Sequence, residues 1–238
     1  MKRIVFLFVF LMIIFARADL YCICPVESGS GLSDITQFDT LKKKQILYNG
    51  ILWSNKYRRI KGDQFLYSNL FLSGTVSINS QIFKNLRIKY DIYSDEILTP
   101  MNREEIIQLN KEKVDSFIIS FENRVNKFIK IETDTLKGFN GYVNVLYKGK
   151  SAIYVKYKKE ISLSITEQND GEFFQTYRIY LMKDNIVYPI TGTNDFFNVL
   201  NEDKVQIRDF IRKNKLKVSK KIPESFVPLI RYYDSLRK

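Results

Sequence analysis

From about Ile46 to Ile190, apolar and polar residues alternate with a period of two. That is the repeat of a strand with one packed and one wet face. The clearest run is "IFKNLRIKYDI", where Leu86, Ile88, Tyr90 and Ile92 take one side and Asn85, Arg87, Lys89 and Asp91 the other. Such one-sided segregation belongs to antiparallel sheets, because parallel sheets bury both faces. Phe117, Ile119 and Phe121 alternate in the same way, and Glu122-Asn123-Arg124 reads as a turn. "GFNGYVNVLYKGKSAIYVKYKKEI" (138–161) predicts a hairpin folding about Lys148-Gly149. On its second strand Ile153, Val155 and Tyr157 share one face, and Ala152, Tyr154, Lys156 and Lys158 the other. Lys183-Asp184-Asn185 joins the last two runs, and Pro189 closes the final strand. Asn49-Gly50 between apolar runs predicts a further tight hairpin turn.

The period changes after residue 192. Thr193, Asn194 and Asp195 are helix-cap candidates, and Ile207, Phe210 and Ile211 line one helical side. Phe226, Leu229, Ile230 and Tyr233 fall at i, i+3, i+4 and i+7, with Ser225 as the expected N-cap and Pro228 in the first turn. The predicted fold is mainly β: a curved antiparallel meander or half-barrel over 46–192, followed by two to three short helices over 193–238 packed on the same domain. No helix long enough for a βαβ crossover lies between Thr75 and Ile190, which disfavours an α/β fold.

The first eighteen residues read as a secretory signal. Lys2 and Arg3 precede an unbroken apolar run, Ile4 to Phe15, and Ala16-Arg17-Ala18 supplies small residues for cleavage between Ala18 and Asp19. The expected location is periplasmic or secreted. Removing Lys2, Arg3 and Arg17 from the 38 basic residues leaves 35 against 26 acidic, a net charge of +9. Residues 19–45 read as a flexible leader, with "VESGSGLSDIT" its Ser/Gly-rich part and "QFDTLKKKQ" either a short helix or a loop. Cys22 and Cys24 lie within it, as free thiols or for intermolecular pairing. Bulky Tyr21 and Ile23 argue against a lipid anchor.

Histidine is absent from all 238 residues. This removes the Ser-His-Asp triad, the Cys-His dyad and His-based zinc sites. Two cysteines make no metal cage, and no phosphate-binding or dinucleotide motif appears, so no metal or cofactor is expected. Asp95-Glu96, Glu104-Glu105 and Glu202-Asp203 read as solvated turn or cap acids, and no catalytic residue is assigned. The binding candidates are basic and aromatic. Trp53, Tyr57, Arg58 and Arg59 form one group, and Arg212, Lys213, Lys215 and Lys217 open a run that ends in Lys220-Lys221. Tyr142 and Tyr154 form either a cross-strand pair that stabilises the sheet or a ligand shelf. The joint richness in Lys, Ile, Asn, Tyr and Phe is the bias of an AT-rich genome, which makes lysine a default surface residue. Nucleic acid is a disfavoured partner for an exported chain. A lipid, an anionic envelope polymer or peripheral membrane contact suits the charge better.

"GF…LYKGK…IYVKYKKEI" resembles a recurrent motif of uncharacterised exported proteins common in Bacteroidota, with its Gly-aromatic start, Leu-Tyr-x-Gly turn and Lys-rich exit. "GTVSINSQIFKNLRIKYDIYSDEI" (Gly74 to Ile97) and "VQIRDFIRKNKL" are similar to other parts of that family, so the resemblance spans about Gly74 to Leu216. It implies an envelope location and a single β-rich domain, and no enzyme, cofactor or ligand. The expected function is a non-enzymatic binding or scaffold role, with an apolar ligand held in a concave sheet. Docking on an anionic polymer through the basic patches and carboxylate-dependent hydrolysis are the alternatives.

Overall fold

The strands begin and end where the period-two pattern does. A computed structural model describes residues 41–133, 136–163 and 170–237. The expected signal segment with its Ala18-Asp19 junction, Cys22, Cys24 and the Ser/Gly-rich leader lie outside them. Residues 41–47 are helical (α1). The strands are β1 (Gly50–Leu52), β2 (Ile60–Lys61), β3 (Leu72–Ile78), β4 (Gln81–Asp91), β5 (Glu96–Pro100) and β6 (Ile106–Leu109). They continue as β7 (Val114–Phe121), β8 (Arg124–Ile131), β9 (Gly141–Lys148), β10 (Ala152–Ser162), β11 (Gly171–Lys183) and β12 (Ile186–Ile190). Three α-helices follow: α2 (Thr193–Val199), α3 (Lys204–Lys213) and α4 (Val227–Leu236).

The fold is mainly β with C-terminal helices. The strand order is β1-β6-β5-β4-β3-β7-β8-β9-β10-β11-β12. It departs from a simple meander: β1 pairs with β6, β2 lies apart from both its chain neighbours, and after β6 the chain returns to pair β7 with β3. One pair is parallel, β2 with the start of β11. β4 bends where Asn85 adopts φ +57° and the register to β3 slips, so its first part pairs with β3 and its last residues with β5. A bulge of this kind increases local twist and lets the sheet curl.

The tight turns need positive φ at both central residues to match strand twist. Asn79-Ser80, Glu122-Asn123 and Asp184-Asn185 all meet that condition without a glycine. The hairpin of β9 and β10 folds about Gly149-Lys150-Ser151, with Lys148 opposite Ala152.

Alternation sorts the apolar side chains into three clusters. The curled half wraps one built from Val76, Ile88, Tyr90, Phe117, Phe128 and Tyr142, with Leu47 of α1. Ile153, Val155, Ile179 and Leu181 pack under Phe196, Phe226, Leu229 and Ile230 of the C-terminal segment. On the opposite face of the same strands, Tyr154 and Tyr180 pack against Phe139.

Of the two readings open for "QFDTLKKKQ", residues 41–45 take the helical one. Three local expectations are corrected. Asn49-Gly50 follows the end of α1 instead of turning a hairpin. A Cβ at Gly50 would collide with the Gln108 carbonyl, so glycine lets edge strand β1 close onto β6. Asp91, assigned to the wet face, is 1% exposed, because its Oδ1 accepts the Tyr93 and Ser94 N–H groups that turn the chain into β5. Ser225 does not cap α4. A 3-10 turn, Pro223–Phe226, precedes that helix, and the Ser225 hydroxyl bonds the Ser219 backbone.

Candidate functional site

The expected binding residues scatter. Trp53 is half-buried against Phe65, with ring centroids 6.1 Å apart. Tyr57 meets Tyr93 and Phe173 edge-on at 5.0 and 5.6 Å, so its ring is engaged by neighbours. Arg58 is exposed, while Arg59 makes a bidentate bond to Asp170 at 2.8 Å. Tyr142 and Tyr154 form no ligand shelf. They are 1% and 3% exposed and belong to different clusters, because the β9–β10 register shifts between Ile153 and Tyr154. Arg212, Lys213, Lys215 and Lys217 all face solvent, and Arg212 pairs with Asp209.

The densest polar cluster centres on Asp95, in the turn between β4 and β5. Its carboxylate accepts from the Tyr90 hydroxyl at 2.5 Å, Lys111 Nζ at 2.7 Å and Lys156 Nζ at 3.0 Å. Burial pushes Asp95 up, but the two ammonium groups and the tyrosine outweigh it and hold the carboxyl below the ordinary aspartate value. Burial lowers Lys156, and Asp95 only partly offsets that. Gly141, at φ +90°, lies so close that any Cβ would strike Asp95. This cluster ties the β4–β5 turn to β9 and β10, and a hollow of about 310 Å³ lies beside it. Its charges already satisfy one another, the mark of a structural tie.

A larger cleft, about 590 Å³, lies elsewhere, where β12 stops and β11 runs on. Ile179, Tyr180, Pro189 and Ile190 form its apolar base, and Arg178, Lys220 and Lys221 its charged rim. Among the described residues, none that lines it is Asp or Glu. Among the described residues, none of the three cations takes part in an ion pair. The Tyr177 hydroxyl donates to the Lys220 carbonyl at 2.9 Å, which seats the lysine-bearing turn beside β11. Tyr180 donates to Gly138 O at 2.8 Å and fixes the opposite wall.

Only the last two lysines of the basic run reach this cleft, and Arg178 and Leu136 were not candidates at all. Their signal in the sequence is faint. An arginine in "FFQTYRIYLM" reads as one wet-face residue among many, and only the folded chain brings it to Lys220. Among the described residues, no group of three Asp, Glu or Cys side chains could hold a metal ion. No helix among them is long and apolar enough to cross a membrane. No family model, curated protein or solved structure matches the chain.

Proposed function

We propose that the protein is a non-enzymatic exported binding protein of the cell envelope, and that its ligand site is the cleft at the end of β12. The observation that carries this reading is the lining among the described residues: three cations and an apolar base, with no carboxylate. Such a surface suits a partner that places negative charge beside apolar atoms. The signal-like N-terminus and the resemblance to exported proteins support the location. The expected apolar ligand moves from the sheet face to this cleft, since packed side chains occupy both faces of the sheet at Ala152 to Val155 of β10 and Ile179 to Leu181 of β11. Hydrolysis by paired carboxylates draws no support from the described lining of the cleft, which carries no acid.

1-Anilinonaphthalene-8-sulfonate, an anion with apolar rings, tests the proposal. One site per chain is expected. The Arg178→Glu, Lys221→Glu double variant weakens it about ten-fold or more, as reversing charges at a contact does. Lys84→Glu, exposed on β4, leaves it unchanged. Equal binding by all three proteins would sink the reading.

A further inference from the structure

The same cleft has a shape that narrows its partner. Its lining takes consecutive residues of β11, Tyr177 to Tyr180. Successive side chains of a strand point to opposite faces. Ile179 belongs to the cluster under the helices, and Tyr180 to the cluster around Phe139. One wall, with Lys220 and Lys221, therefore stands on the helix side of the sheet, and the other, with Leu136 and Gly138, on the opposite side. A hollow that straddles both faces lies in the plane of the sheet, at its edge. A pocket for a small molecule on a sheet face would draw on alternate residues only.

The strand pairing agrees. β11 pairs with β10 from Ala152↔Met182 to Ser162↔Glu172. On its other side β12 covers Ile179 to Lys183, and β2 covers Gly171 and Glu172. Gly62, just past β2, flanks Phe173. Among the described residues, Phe174 to Arg178 have no strand partner on that side, an open edge of roughly 17 Å at about 3.4 Å per residue. Every second residue there turns its N–H and C=O outward.

Resting on the reading of the cleft as an anion site, we propose that this gap is a strand-docking slot. It takes an extended, acidic peptide segment of a partner protein, which continues the path of β12 along β11. Backbone hydrogen bonds to the open edge supply the affinity, and alternate side chains of the guest supply the selectivity. Carboxylates of the guest meet Arg178 on one wall and Lys220 and Lys221 on the other. The cations on both walls select against basic segments.

The test uses the mature chain and the acetylated, amidated octapeptide of two Val-Val-Glu-Glu repeats, which shows carboxylates on both faces of a strand, by titration calorimetry. Two further peptides carry N-methyl groups on all the odd-numbered or on all the even-numbered residues. An added strand uses the N–H groups of alternate residues only. One methylated peptide should therefore lose about ten-fold or more in affinity, and the other should bind like the parent. Arg178→Glu should weaken the parent peptide, and added salt should do the same. Equal binding of both methylated peptides would overturn the slot while leaving the anion site standing. Failure of the peptides alone would also overturn it, and failure of the naphthalene sulfonate as well would remove both readings. A dimer in sedimentation that Arg178→Glu disperses would give the edge to a second copy and overturn it too.

Discussion

Two aspartates four residues apart show how burial and partners set opposite pH responses. Burial pushes Asp91 up to about 6, against the Ser94 and Tyr93 N–H groups that favour its charged form. The folded protein then holds a proton that the unfolded chain, near 3.8, has released. Native binding of the extra proton makes stability fall as pH rises from about 4 to 6, and the whole cost is present above that window. At about 1.36 kcal/mol per unit the cost is about 3 kcal/mol at most. Asp91→Asn keeps an oxygen to accept the two N–H groups and carries no charge. Urea unfolding should find it about 1–3 kcal/mol more stable than the native chain at pH 7.5 and equal at pH 4. Parallel stability curves for the two proteins would refute the assignment. Asp95 acts in the other direction. Its carboxyl is held below the ordinary value, so its contribution is present above about 3.8 and is lost as pH falls through the folded value.

At the scale of elements, the turn between β7 and β8 is built from residues that tolerate its geometry poorly. Glu122 and Asn123 sit at φ +47° and +60°. A left-handed conformation costs a residue such as glutamate about 1–2 kcal/mol, and asparagine followed by glycine adopts it more easily. Glu122→Asn with Asn123→Gly should raise the thermal midpoint by a few degrees, equivalent to about 1 kcal/mol. A fall in the midpoint would mean that the Glu122 side chain contributes more than the backbone loses. Such turns also explain which elements were legible in the sequence. Period-two runs such as Leu86 to Ile92 declare themselves, because one face is packed along the whole strand. The Asn79-Ser80 turn does not, because the alternation of Val76, Ile78 and Ile82 with polar neighbours runs through it almost unbroken. Asn49-Gly50 misleads, because the pair that suits a hairpin equally suits the exit from a helix into an edge strand. Asp91 misleads because a turn's need for acceptors overrides the alternation. The cleft was legible only in its Lys220-Lys221 rim. Its other parts come from residues about 80 positions earlier and about 40 positions before the lysines, and only the edge of the folded sheet joins them.

For the described chain as a whole, the question is whether the three clusters unfold together. They share two strands. β9 gives Tyr142 to the first cluster and Val143 to the third, and β10 gives Ile153 to the second and Tyr154 to the third. Tyr157 packs against both the first and second clusters. Strands common to every cluster leave no line along which one part separates without stripping another, so a single cooperative transition follows. The one tryptophan, Trp53, reports on the far end of the sheet through its contact with Phe65. Phe226, fully buried under the C-terminal helices, belongs to the second cluster. Phe226→Ala should remove about 3–5 kcal/mol by leaving a cavity there. It should shift the Trp53 fluorescence midpoint and the circular dichroism midpoint to the same lower urea concentration. A Trp53 transition that stays in place while the dichroism splits in two would divide the sheet into independent halves, with the open edge of β11 on the less stable one.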